Sequence, residues 1–323
     1  MSFSSEVKAE LAKNISSARH CRIAELSGMM SMVADVWYRN GSLFKLCITT
    51  ERSIIAKTMA ALIKVLFDIR MECSVKRTGS NSRIYRMVLD QQQEIERMMQ
   101  TLKLSPDFGI SQKGVAKVSC QDMTVNRMVV QQQCCKRAFI KGVFMTSGSV
   151  SDPKKGYHLE IVCNNEDRAG MIGKIMAELD IESRVIARKK YSVCYIKDGT
   201  MIVDMLNIMG AHISLMNMEN VRILKDISNN VNRRVNCEAA NLNKTVSAAV
   251  RQIQDINYVI ETRGITYLPD NLRSLAELRL EETDASLKEL GEMMNPPIGK
   301  SGVNHRLRKI SEIAEDLRQK SYV

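Results

Sequence analysis

Between Lys300 and Lys309 the chain sets Lys300, Ser301, Asn304, His305, Arg306, Arg308 and Lys309, and residues 298 to 310 contain no acid. Short polar side chains set among long cations are the types that pair with base edges and phosphates of a duplex. Their spacing assigns roles if the segment is a helix. Val303, Leu307, Ile310, Ala314 and Leu317 recur at helical intervals and form one apolar stripe. With Val303 at zero and about 100° per residue, Asn304 falls at about 100°, Arg308 at about 140°, Ser301 at about 160° and His305 at about 200°. Those four point away from the core, toward bases. Lys300, Arg306 and Lys309 flank the stripe, where long cations reach phosphates. The partner this chemistry fits is double-stranded DNA.

Such a face needs elements that hold it out. Asp284 to Met294 reads as a short helix whose start is fixed by a capping box, Ser286-x-x-Glu289. Leu287, Leu290 and Met294 share one face and can pack on the following helix. Asn295-Pro296-Pro297 breaks the chain, and a second, basic helix follows from Ile298 to Ile310. A short helix, a tight break and a basic helix is the layout of a helix-turn-helix, whose second helix lies in the major groove. Residues 277 to 292 carry six acids against two bases, so the positive charge is local to the second helix. A plain surface helix would account for the cations but not for break, cap and stripe together.

The whole chain is basic as well. Its 323 residues carry a formal charge of +11, which points to a polyanion. Residues 1 to 220 hold 31 bases and 22 acids, against 16 and 14 in residues 221 to 323, so most of the surplus lies outside the helix-turn-helix. The length suits two or three domains with a sizeable core. No stretch approaches the ~20 apolar residues of a membrane span. The start, Met1 to Lys8, lacks an apolar run after a basic region, and a cytoplasmic, nucleoid-associated protein with no membrane partner is expected. Nine cysteines are scattered singly except for Cys134-Cys135, without any Cys-x-x-Cys, and the four histidines are isolated from one another. That reads as reduced thiols, with no disulfide framework, no metal site and no cofactor.

The first 220 residues read as one unit used twice. Cys21 to Met30 sits over Cys135 to Phe144, and Leu43 to Ile48 over Tyr157 to Val162, both with an offset of 114. The second segments are strand-like. Helices Ser53 to Leu66 and Arg168 to Leu179 follow. Next come paired strand-like runs, Cys73 to Arg77 with Arg83 to Leu89, and Ser183 to Arg188 with Tyr191 to Lys197. Helices Glu94 to Leu102 and Thr200 to Met209 close the copies. Short links between strands predict antiparallel sheets. Lys45, Lys76, Arg77, Arg83, Arg86, Arg184, Arg188, Lys189 and Lys190 fall on these strands or their ends. They suit either a basic surface that straddles a duplex or ordinary solvent-facing positions.

Here the residues carry a resemblance. Ile140-Lys141-Gly142-Val143-Phe144-Met145-Thr146-Ser147-Gly148 resembles the LAGLIDADG motif of homing endonucleases, and Leu26-Ser27-Gly28-Met29-Met30-Ser31-Met32-Val33-Ala34 does so with more departures. The resemblance implies two motif helices packed through Gly28 and Gly142. It also implies an acid closing each motif helix to hold a divalent metal for phosphodiester cleavage. Val33 and Ser147 stand at those places, and neither offers a carboxylate to a hard cation. Asp35 lies two residues on, about 200° round a helix. Asp152, before Pro153, reads as a turn residue. No catalytic residue is expected.

The combination with Val235-Asn236-Cys237-Glu238-Ala239-Ala240-Asn241-Leu242-Asn243-Lys244-Thr245, with Leu275 to Leu280 and with Lys300 to Ile310 is similar to the WhiA family. The resemblance implies a bacterial DNA-binding regulator of cell division, chromosome segregation and sporulation. Protein partners in transcription or division are implied too. Residues 220 to 236, polar and Asn-rich, read as a partly helical linker. Leu242, Val246, Ala249, Ile253, Ile256 and Ile260 form a heptad-like stripe suited to the core of a small helical domain or to a dimer seam. Pro269 opens a further helix running to Glu281.

The expected architecture is therefore an α+β LAGLIDADG-like pseudo-two-fold repeat domain with antiparallel sheets, then an all-α helix-turn-helix domain. Its expected parts are repeat A at 1–110, repeat B at 111–219, the linker at 220–236 and the DNA-binding domain at 237–323. The expected function is sequence-specific transcription regulation without nuclease activity. An architectural DNA-binding protein without sequence preference and an active nuclease using unconventional acids stay open at this point, as does the oligomeric state.

Overall fold

The computed structural model describes residues 2–77, 83–106, 114–119 and 123–320. They pack as two units, Met1–Leu224 and Lys225–Val323, each with its own apolar core. The boundary expected at residues 110/111 lies outside the described residues.

The first unit begins with α1 (Phe3–Lys13), capped by the Ser2 side chain, and α2 (Arg19–Val33). From Ala24 to Ser31 every residue of α2 is buried, so this helix is surrounded by protein rather than amphipathic. It runs directly into β1 (Ala34–Arg39), which pairs antiparallel with β2 (Ser42–Thr50) through a turn where Asn40 and Gly41 take positive φ. Then follow α3 (Ser53–Phe67), β3 (Glu72–Arg77), β4 (Arg83–Leu89) and α4 (Gln92–Leu102). Short strands β5 (Leu104–Pro106), β6 (Val115–Val118) and β7 (Met123–Val125) come next, before a single 3-10 turn at Arg127–Val130.

The second copy repeats the order. α5 (Gln133–Ser147) runs into β8 (Gly148–Val150), followed by β9 (Leu159–Cys163), α6 (Glu166–Ala177), β10 (Arg184–Arg188), β11 (Tyr191–Ile196) and α7 (Gly199–Met209). The sheets have matching orders, β3-β4-β2-β1-β6 and β10-β11-β9-β8, and all neighbours are antiparallel. The expected repeat and its antiparallel sheets are thus present. Reading from sequence overlooked α1 and the strands β1 and β8 that leave the two motif helices without a loop.

Burial alternates along β9 and β1, whereas every residue of β3 and β10 is exposed. These outer strands carry Lys76, Arg77, Arg184 and Arg188 into solvent. The motif helices α2 and α5 pack against each other at the centre. A Cβ on Gly28 would stand 2.5 Å from the Phe139 carbonyl oxygen, and one on Gly142 2.2 Å from that of Glu25. Only glycine lets the two backbones come this close. Beside them Lys141 and Glu25, both buried, form an ion pair at 2.9 Å.

The second unit is helical. α8 (His212–Arg263), one helix of 52 residues, begins in the first unit and continues into the second, so the segment 220–236 expected as a partly helical linker is helical along its whole length. Its heptad-like stripe divides. Ile256 is buried in the helical core with Val259, whereas Leu242 and Val246 are 64% and 52% exposed, so the core reading holds only for the C-terminal part. α9 (Asp270–Glu281) has Pro269 at its N-cap, and α10 (Leu287–Met293) and α11 (Lys300–Lys320) complete the unit. Among the described residues no helix is long and apolar enough to cross a membrane.

Candidate nucleic-acid interface

The capping box at Ser286 is formed in both directions. The Ser286 side chain accepts from the Glu289 N–H at 3.3 Å, and the Ser286 N–H donates to the Glu289 carboxylate at 2.7 Å. That second bond holds the Glu289 carboxyl below its ordinary range. After Met294 the chain turns back so closely that a Cβ on Gly291 would lie 2.2 Å from the Ile298 carbonyl oxygen. The Ile298 N–H donates to the Gly291 carbonyl at 2.9 Å and locks the turn. α11 then buries Val303, Leu307, Ile310, Ala314 and Leu317, the same stripe its periodicity predicts. Its far end is fixed by Arg318, which pairs with buried Asp255 at 2.8 Å and lies 4.8 Å from the centre of the Tyr258 ring.

With the stripe buried, Lys300, Ser301, Asn304, His305, Arg308 and Lys309 are exposed. Arg306 differs. It is half-buried, and its guanidinium donates to the Asn271 carbonyl at 3.2 Å, tying α11 to the first turn of α9. Arg308 lies 3.6 Å from Glu312 on the next turn, an exposed pair that costs little to open.

Sequence reading missed the cations that α8 adds. Lys244 and Arg251 line a groove of about 630 Å³ together with Asn304 and Arg308. Lys244, Lys288 and Lys300 line a second groove of about 430 Å³, again beside Asn304. Lys244 and Arg251 stand seven residues apart on one helix face, a spacing visible in sequence, but the apolar stripe of the same helix gave no sign of what lay beside it. Cations of α8 and α10 therefore lie beside the Asn304 edge of the polar face of α11, where they could reach phosphates.

In the first unit Val33 and Ser147 are the last residues of α2 and α5, so the motif helices do end at the positions where acids were sought. The Ser147 hydroxyl donates to the Val143 carbonyl at 3.2 Å and is spent inside its own helix. Asp35 lies on β1, in an ion pair with Lys117 at 2.9 Å, and Asp152 accepts from the Lys154 N–H at 2.9 Å as a turn residue. Trp37 lies between two cations, with Lys45 at 5.6 Å and Lys117 at 5.4 Å from its ring centre. On the other sheet Glu160 accepts from or pairs with His158 at 3.2 Å and has Arg188 at 3.9 Å.

The scatter of the thiols along the sequence argued against a metal site; the fold gathers His20, Cys21, Cys134 and Cys135 at one point. The two halves of the cluster come from opposite repeats, so neither half alone has the spacing of a metal motif.

Profiles of three protein-family domains match the chain. They are the WhiA N-terminal LAGLIDADG-like domain over residues 19–105, the WhiA LAGLIDADG-like domain over 136–228 and the WhiA C-terminal HTH domain over 231–314. The probable cell division protein WhiA of Lachnoclostridium phytofermentans is 45% identical, covering 99% of this chain and 100% of its own. That of Lachnospira eligens is 44% identical over 99% and 98%. The crystal structure of full-length WhiA from Thermotoga maritima matches with a TM-score of 0.60 at 24% identity, over 98% and 99% of the two chains, a likeness of fold.

Proposed function

This chain belongs to the WhiA family, and from that premise we propose that it is a sequence-specific DNA-binding regulator of genes for cell division, chromosome segregation and sporulation. The observation that carries the reading is the face of α11. Asn304, His305, Ser301 and Arg308 are exposed opposite a fully buried stripe, with no acid from residue 298 to residue 310. Asn304 and Arg308 read bases; Lys300, Lys309, Lys244 and Arg251 hold phosphates; Arg306 braces the helix and adds charge at its margin. In this reading residues 237–323 are the reader. The repeats, 1–110 and 111–219, form a basic scaffold that touches DNA or a protein of the transcription or division machinery. The protein acts in the cytoplasm, at the nucleoid. Absence of a carboxylate at Val33 and Ser147 supports a scaffold that does not cleave DNA.

The test is genome-wide occupancy of the tagged protein in its host, compared with an Asn304→Ala, Arg308→Ala double variant. Sharp peaks sharing a short motif, and lost in the variant, are expected. Broad coverage without a motif that survives the double substitution would overturn the proposal in favour of architectural binding through the scaffold.

A further inference from the structure

His20 and Cys21 lie in the first turn of α2, and Cys134 and Cys135 lie in the first turn of α5. The pairs are equivalent positions of the two repeats, separated by 114 residues in sequence. In the fold the four ligand atoms all lie within 4.8 Å of one another. The His20 Nδ1 atom is 3.2 Å from Cys135 Sγ, 3.4 Å from Cys21 Sγ and 3.9 Å from Cys134 Sγ. A tetrahedral zinc ion with metal–sulfur bonds of about 2.3 Å and metal–nitrogen bonds of about 2.0 Å sets its ligands about 3.5 to 3.8 Å apart. The cluster is already at that scale.

The geometry points to a zinc site, with three thiolates and one imidazole holding the ion and clamping the starts of the two motif helices together. Soft thiolates with an imidazole select zinc over magnesium or calcium. Four protein ligands leave no open position, so the ion's role is structural. It is also remote from the degenerate catalytic positions. Val33 and Ser147 close the same helices at their other ends, about 20 Å away at 1.5 Å per residue. Cys21 and Cys135 are buried while His20 and Cys134 are exposed, and a cleft of about 240 Å³ lined by His20, Gln132 and Cys135 gives the ion a way in. Because the halves come from different repeats, an ion bound there favours the folded first unit over the unfolded chain.

The experiment uses the full chain, reduced, stripped with a chelator and titrated with cobalt(II) as the probe. One cobalt per chain is expected, with thiolate-to-cobalt charge-transfer bands and intense tetrahedral bands that one equivalent of zinc removes. Zinc should also raise the melting temperature of the stripped protein. Cys134→Ser, at an exposed position that spares the core, should weaken cobalt binding by more than about tenfold, since even outer-shell changes cost that much. Cys73→Ser, an exposed thiol outside the cluster, should leave it unchanged. The proposal fails if the folded wild-type chain, checked by circular dichroism, shows no thiolate–cobalt band, or if Cys134→Ser binds as tightly as wild type. A disulfide among Cys21, Cys134 and Cys135 in peptides from thiol-blocked cells, with no cobalt uptake after reduction, would overturn it in favour of a thiol switch.

Discussion

Arg308 and Lys309 are neighbours in sequence, yet their side chains leave α11 about 100° apart, and that separation divides their work. Arg308 stands on the outward face with Asn304, whereas Lys309 lies at its margin, and both are exposed. Arg308→Ala is expected to reduce binding to a genomic site while sparing random duplex. Lys309→Ala should weaken both alike and lower the salt slope by about one. Binding isotherms on the two DNAs over a salt series measure this, and equal losses for Arg308→Ala would remove its base-reading role. Arg306 is a different case. Its bond to the Asn271 carbonyl is exposed, so Arg306→Ala should destabilise the helical unit by about 1 kcal/mol. An unchanged urea midpoint for unfolding of that unit, followed by far-ultraviolet circular dichroism, would show that the strut contributes nothing. Helical periodicity alone placed the exposed side chains of α11, because burial of one stripe fixes the opposite face. It could not find the role of Arg306, whose acceptor is a backbone carbonyl 35 residues away.

At the scale of elements, the contact of α2 with α5 depends on two hydrogens in place of two methyl groups. A Cβ on Gly142 would meet a carbonyl oxygen at 2.2 Å, and backbone cannot step aside as a side-chain tip can. Gly142→Ala should therefore destabilise the first unit by about 3 kcal/mol or more, at the upper end of overpacking costs. Trp37 is the chain's one tryptophan and lies in that unit, so its fluorescence during urea unfolding reports the loss selectively. An unchanged midpoint would mean that the helices separate freely, against the close approach seen here. These glycines were legible because motif and repeat offset pointed to the same residues. The strands β1 and β8 were not, since each begins at the residue after its helix: no break marks Ala34, and Gly148 with Ser149 reads as a turn rather than as the start of a strand. Residues 220–236 misled in the opposite sense. Asparagine is a poor helix former, but propensity is a weak prior that flanking helix overrides.

On the scale of the molecule, pH should act on the stability of the first unit through the ionisable groups buried in it. Lys8 is 2% exposed in the first unit, with its ammonium 5.7 Å from the centre of the Phe144 ring. Burial, with some repulsion from Arg52, lowers its pKa from 10.5 to about 7. Between those values the unfolded chain binds a proton that the folded chain does not, so this residue makes stability rise with pH. The penalty is full below pH 7 and disappears toward 10.5. Glu25 acts in the opposite direction. Burial raises its pKa, which the ion pair with Lys141 offsets only in part, so stability falls as pH climbs above 4.5. The thiols of Cys163, pushed up to about 12, and Cys194 add a similar loss only as their unfolded forms ionise near 9.0. Comparing wild type with Lys8→Met cancels all of these shared contributions and isolates Lys8. At pH 7 the variant's first unit should be the more stable. Its advantage should shrink as pH is raised to 9, by up to about 1.4 kcal/mol per pH unit. Urea unfolding read by Trp37 measures that gap, and a gap that does not change with pH would mean that Lys8 keeps its proton in the core.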